Sequence, residues 1–394
     1  MRQNRYYVLV LDGQWRQALS ITRSLGRKGI KVAVGDSSKI ALSKFSKYCV
    51  ESITYPDPIK CPDDFIEFLL HFVQQKKIDL IIPASDITVE LLSIHKSKFE
   101  KFTKIPVPDY DIVIKALDKS LTFRAAIELG IPCPRTYFVK DESEILSLAN
   151  ELEYPAIIKP RRSSAALGYK EVFSKDEFLK QYRTVHKTFQ FPIVQEFIPD
   201  GGGKYSLSAI FDVRGNLKAY FVHEYLRQFP YNAGVGTYGC SVKNELVLNY
   251  GIQLLKALNW YGIAEVEFKT DPRDNIPKLL EINPRFWGMS ELAVCSGMDL
   301  PYYLFKMVVQ NDRTKYTEYR CGQYLRWLLP GEILHFITNP NRSKILKDFF
   351  NFFDRNTKYY IISKEDPLPI LGIMIVSFLG LFKGQLSKFI FRKV

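Results

Sequence analysis

A chain of 394 residues is too long for one ordinary core and is expected to divide into two or three domains. Its 46% hydrophobic and 25% charged residues, with no long polar tract, exclude a disordered chain, and six scattered cysteines without a CxxC pair argue for reduced, cytosolic thiols against a metal site or disulfide framework. The excess of 55 Lys and Arg over 42 Asp and Glu, a net charge of +13, favours an anionic partner, and the absence of zinc-finger spacing or a groove-reading basic helix disfavours nucleic acid.

Tyr6–Leu11 is an apolar run that stops at Asp12, too short for a secretory signal and suited to a buried parallel strand. A helical span to Lys28 and a second strand at Lys31–Val34 complete a β-α-β unit. A helix over 63–76 leads into the buried strand Asp79–Pro83, whose C-terminal end carries Ala84, Ser85 and Asp86, where ligands of open α/β sheets sit. Ser85 and Asp86 read equally as substrate contacts or as a helix N-cap. Gly13 alone is no dinucleotide fingerprint, so no NAD site is expected. The prolines of Ile105–Pro108 mark a linker that closes an α/β domain over 1–109.

Residues 110–310 have a mixed pattern. Helix Tyr110–Leu117, the triplet Asp118-Lys119-Ser120 and a helix to Leu129 come first. There follow a strand, a helix over 142–152, strand Ala156–Lys159, a helix over 176–185, strand Pro192–Gln195, and antiparallel strands on either side of Arg214-Gly215-Asn216. This is an α+β domain with lobes over about 110–195 and 196–310. A basic, aromatic section occupies 311–394. Its uncharged segment 367–382 falls short of the ~20 apolar residues of a bilayer span, so packing on the protein is expected first and peripheral membrane contact second.

The sharpest chemical pattern lies between Ile263 and Trp287. Two strands flank the turn-rich Asp271–Asn275, and a hairpin symmetric about Asp274 sets Glu267 opposite Glu281 and Glu265 opposite Asn283. Ala264, Val266, Phe268, Leu280 and Ile282 are then expected on the opposite, buried face. Opposed carboxylates repel unless a cation lies between them, and two carboxylates with an amide oxygen suit Mg²⁺. Arg285 continues on the polar side and is placed to hold a phosphoryl group or a carboxylate.

These residues, Glu267 and then Leu279-Leu-Glu281-Ile-Asn283-Pro-Arg285-Phe-Trp-Gly288, resemble the metal-binding end of the ATP-grasp superfamily, in its carboxylate–amine ligase branch, distantly similar to biotin carboxylase and carbamoyl phosphate synthase. The resemblance implies an α/β N-terminal domain followed by an α+β ATP-grasp fold whose two lobes hold ATP between them. It assigns Lys119 and Lys159 to the ATP phosphates, and Ser163, Ser164 and Gly168 to a phosphate-covering loop that keeps one glycine of the family pattern. Glu196 with Phe197 and Ile198 falls where relatives meet adenine, Asp200 near the ribose. Glu267, Glu281 and Asn283 become ligands of one or two Mg²⁺ ions, with Mn²⁺ as a substitute, and Arg227 and Arg285 the catalytic cations.

The activity implied is ATP-dependent: a small-molecule carboxylate becomes an acyl phosphate, and a small-molecule amine takes the acyl group with release of ADP and phosphate. Two rivals stand beside it, a nucleotide-binding regulatory or membrane-associated protein without turnover, and a carboxylase-like enzyme. A cytoplasmic location and a homodimer are compatible with all three.

Overall fold

The computed structural model describes residues 6–163, 167–231 and 234–382. The run Tyr7–Val10 is an inner strand of a four-stranded parallel sheet, in the order Cys49–Thr54, Lys31–Asp36, Tyr7–Val10, Leu80–Ile82. It is apolar throughout because both faces are covered. Alternation sends Val8 and Val10 into one core with helix Arg16–Arg27, and Leu9 and Leu11 into another with helix Pro62–Lys76. At Gly13 a Cβ would stand 2.6 Å from Val34 Cγ1, so close backbone approach requires the glycine. Cys49–Thr54 escapes sequence reading because it is an edge strand with only Ile53 buried.

A four-stranded antiparallel sheet follows, in the order Thr136–Tyr137, Ile193–Glu196, Ala156–Lys159, Lys170–Val172. Helices Glu144–Glu151 and Lys175–Thr188 cover one face, where Ala156 and Ile158 are buried; Ile157 and Lys159 point the other way, into a cleft. The far wall of the cleft is a seven-stranded sheet: Ile276–Asn283, Gly262–Asp271, Lys204–Phe211, Leu217–Phe229, Val235–Ser241, Tyr324–Arg326, Thr357–Tyr359. Phe221, Phe286 and Trp287 share a core with Val8 and Val10, so the N-terminal sheet and this large sheet have a common interior.

The last two strands come from beyond residue 310, so the basic section continues the large sheet. Its final helix, Pro369–Phe382, packs Ile370 and Ile373 on the shared core and sets Gly372 against Phe45. Leu368, Leu371 and Met374 stay exposed. Among the described residues no helix is long and apolar enough to cross a membrane.

This section is tied to the N-terminal unit by Arg23. Its guanidinium donates to Asp366 Oδ2 at 2.8 Å and to the carbonyls of Tyr360, Ile361 and Asp366, while Asp366 also accepts from Ser46 Oγ and the Lys47 amide. Both side chains are almost wholly buried. Removing one partner of a buried pair strands the other charge, so Asp366→Ala is expected to cost about 3–5 kcal/mol. A fall in the urea midpoint measures it; an unchanged midpoint would mean that water replaces the carboxylate freely.

Candidate active site

The hairpin has the expected register over its chemical half, with Glu265 opposite Asn283 and Glu267 opposite Glu281. A bulge then interrupts it, so that Phe268 pairs with Leu279. The bulge corrects one expectation: Leu279 enters the core, and Leu280 instead faces the cleft. Ala264, Val266, Phe268 and Ile282 are buried as expected.

The carboxylates are balanced by lysines from three elements. Lys204 Nζ lies 2.6 Å from Glu267 and Lys119 Nζ 3.3 Å from Glu281; Lys119 also donates to the Ser163 carbonyl at 3.1 Å. Lys119 opens helix Lys119–Glu128, capped by the Asp118 carboxylate, which accepts from the Ser120 amide and pairs with Arg161 at 2.6 Å. Burial raises the Glu281 carboxyl, but Lys119, Lys204 and Lys159 outweigh it and hold the group well below the usual range. Glu265, deeper in the sheet, is pushed up by burial and by Glu267, and accepts from Ser206 Oγ and Tyr225 Oη, both at 2.7 Å. Burial pulls Lys159 down to about 8; Glu281 opposes the fall, and Lys119, Lys204 and Lys269 add to it.

The donors suit Mg²⁺. Glu267, Glu281 and Asn283 offer hard oxygens on one face, whereas no group of three or more His, Cys, Asp and Glu among the described residues could hold an ion. An ion here must draw other ligands from phosphate and water, as Mg²⁺ does. Asn283 meanwhile donates from Nδ2 to Glu265 and Glu267 and accepts from Arg285 Nη2 at 3.1 Å.

Lys119, Lys159, Ser163, Glu196, Phe197, Ile198, Glu267, Glu281, Asn283 and Arg285 all line one cleft of about 600 Å³. Ser164 lies outside the described residues. Gly168 does not reach the cleft wall: at φ 78° it turns the chain, and a Cβ there would meet Pro160 at 2.6 Å. Arg227 lines the same cleft, but its guanidinium is engaged in ion pairs. A bulge between Tyr225 and Arg227 breaks their alternation, leaving Tyr225 on Glu265 while Arg227 pairs with Glu332 at 2.7 Å and with Asp348. Both of its carboxylates come from the C-terminal section, so it holds that section to the sheet.

Sequence reading passed over Lys204, Lys269 and the dual use of Asp86. Lys204, Ser206 and Ser208 alternate along their strand beside Glu267 and Glu265, a polar face that period two could have revealed. Lys269 bonds the Ile198 carbonyl at 2.8 Å and Asp200 at 2.7 Å, joining the large sheet to the segment that follows strand Ile193–Glu196. Ser85 is a helix N-cap, whereas Asp86 reaches Arg285 Nε at 2.7 Å from 199 positions away, a contact no local pattern signals.

The comparisons define the class. Residues 116–289 match the family model of the ATP-grasp domain, and the chain carries that domain. Its relatives include the D-aspartate ligase of Enterococcus faecium (strain Aus0004), 27% identical over 348 residues that make up 82% of this chain and 81% of that protein. A D-alanine–D-alanine ligase of Anaplasma marginale (strain Florida) is 29% identical over 181 residues, 42% of this chain and 51% of that ligase. Among solved structures, N5-carboxyaminoimidazole synthetase from Staphylococcus aureus matches with a TM-score of 0.66 at 17% identity, over 89% of this chain and 86% of that one, a likeness of fold.

Proposed function

We propose that this chain is an ATP-dependent carboxylate–amine ligase, with an amino acid as the carboxylate donor. One observation carries the reading: a single cleft brings together a lysine cluster, an opposed carboxylate pair and Arg285, on an ATP-grasp domain in a chain whose relatives include a D-aspartate ligase. The nucleotide lies between the two sheets. Glu196, Phe197 and Ile198 meet the adenine edge, Leu280 supplies an apolar surface inside the cleft, and Lys119 and Lys159 bind phosphate oxygens. One or two Mg²⁺ ions, held by Glu267, Glu281 and Asn283, would neutralise phosphate charge.

A carboxylate oxygen of the donor forms a bond to the γ-phosphorus as the bond to the β-bridging oxygen breaks and ADP leaves. Arg285 stabilises charge on the transferring group. The amine then attacks the acyl carbon, phosphate departs, and the nitrogen loses a proton. Consumption of ATP fits a cytoplasmic site of action. The expected membrane contact of 367–382 is no part of this reading, since Ile370 and Ile373 are taken up by the core.

The test is ADP release from the purified protein with Mg-ATP, an amino acid and an amine, each omitted in turn. Release that requires both organic substrates supports the ligase; tight nucleotide binding with no turnover across donor and acceptor pools would favour a regulatory nucleotide-binding protein.

A pH effect follows from Lys159, which reaches about 8 in the free protein. Below that pH it is charged and binds phosphate; as pH rises through it the charge is lost and ATP affinity falls. ATP restores the charge, so binding at pH 8.5 is expected to take up a proton. Titration calorimetry in buffers of different ionisation enthalpy measures the uptake, which Lys159→Met should abolish. No uptake in the wild type would place the titration elsewhere.

A further inference from the structure

Two short helices of the C-terminal section, Ile333–Thr338 and Arg342–Phe349, face two ways. Inward, each is fixed to the cleft wall. His335 Nδ1 donates to the Gln228 carbonyl at 2.6 Å, and Asp348 pairs with Arg227; His335, Gln228 and Arg227 all line the cleft. Arg326, buried in the large sheet, ties down the end of the second helix through bonds of 3.1 Å to the carbonyls of Asp348 and Phe349. The Phe349 ring is buried and stacks on Phe336 with centroids 4.3 Å apart.

Outward, the same segment is apolar. Leu346 and Phe350, four positions apart and so on one side, are 48% and 59% exposed, and Phe353 is 94% exposed. Phe350 and Phe352 extend the Phe349 ring contacts edge-on, at 5.2 and 6.1 Å. Single exposed apolar side chains are ordinary, but a phenylalanine left almost wholly in water beside a second half-exposed one marks a surface that is covered by something. Arg342, Lys344, Lys347 and Arg355 belong to the same segment, all exposed, and among the described residues none of them has a carboxylate within ion-pair distance. The two acids of residues 341–358 are occupied, Asp348 by Arg227 and Asp354 by Thr357 Oγ1 at 2.6 Å.

An apolar tip among free cations fits the surface of an anionic bilayer, where rings enter the boundary between headgroups and acyl chains while Lys and Arg stay with the headgroup phosphates. A soluble polyanion has no use for the rings. A second copy of this chain would bring its own cations against these across a two-fold contact, and like charges oppose. We propose that the tip formed by helix Arg342–Phe349 and the residues through Arg355 docks on an anionic membrane surface, holding the cleft beside the lipid headgroups. This surface is distinct from helix Pro369–Phe382, and the inference does not rest on the ligase reading.

Co-sedimentation of the full chain with vesicles tests it, phosphatidylcholine alone set against phosphatidylcholine mixed with phosphatidylglycerol. Binding is expected to favour the mixed vesicles and to weaken as salt rises. Phe353→Ser should reduce the partition coefficient by roughly 10-fold, from the apolar area no longer buried. Lys344→Gln with Lys347→Gln should reduce it by roughly 10-fold or more. All three side chains lie on the surface, so the urea midpoint should stay where it is and serves as the control for folding. Wild-type protein that remains in the supernatant with mixed vesicles, or that binds phosphatidylcholine alone equally well, overturns the proposal, as does a Phe353→Ser variant that sediments like the wild type. Concentration-dependent dimerisation abolished by Phe353→Ser, seen by sedimentation velocity without vesicles, would assign the tip to a second copy and overturn it too.

Discussion

Arg285→Ala is expected to lower kcat by roughly 10²- to 10³-fold while nucleotide affinity changes little, the pattern of a lost transition-state donor. The side chain is held in place before substrate arrives. Nε bonds Asp86 at 2.7 Å, Nη2 bonds Asn283 Oδ1 at 3.1 Å, and Nη1 bonds the Phe286 carbonyl at 3.2 Å. Burial weighs against its charge, but Asp86, Glu265 and Glu281 more than restore it. Asp86→Ala separates orientation from charge. It leaves Arg285 cationic but frees its Nε, so it should reduce kcat by roughly tenfold, less than the arginine deletion. Single-turnover measurements of acyl-phosphate formation give both numbers. Equal losses would show that the ion pair acts as one unit, and a wild-type rate in Arg285→Ala would remove that residue from phosphoryl transfer.

Legibility in the sequence followed the range of the interactions. The parallel strand at Tyr7–Val10, the helix Tyr110–Leu117 and the strand Ala156–Lys159 were readable because their patterns are local: an apolar run, a helical period and a proline-bounded strand. The pairing of Glu267 with Glu281 was readable too, because a short turn carries register across a hairpin. A bulge defeated the same logic at Leu280, since an extra residue reverses which face a side chain takes and leaves no mark in composition. Contacts between distant segments were out of reach: Asp86 with Arg285, Glu332 with Arg227, and Arg16 beside Gly288. Those contacts join the N-terminal sheet and the C-terminal section to residues that line the cleft.

Glu281→Gln is the second large effect expected, a loss of 10²-fold or more in kcat/KM for Mg-ATP, corresponding to the several kcal/mol that a divalent ion contributes to phosphoryl transfer. The isosteric amide preserves the hairpin and removes one charge. That charge has three tasks. It faces Glu267 across the strands, forming half of the hard-oxygen pair, and it neutralises Lys119 at 3.3 Å. It also supports the charged form of Lys159, which burial and three neighbouring lysines depress. Without it Lys159 should lose its proton at lower pH, so the alkaline fall in ATP affinity should move toward neutrality as the Mg²⁺ requirement rises. A loss of affinity confined to Mg²⁺, with an unmoved pH profile, would mean that Glu281 serves the ion alone. A moved profile with normal Mg²⁺ dependence would mean that it serves the lysines, and that the ion is held elsewhere.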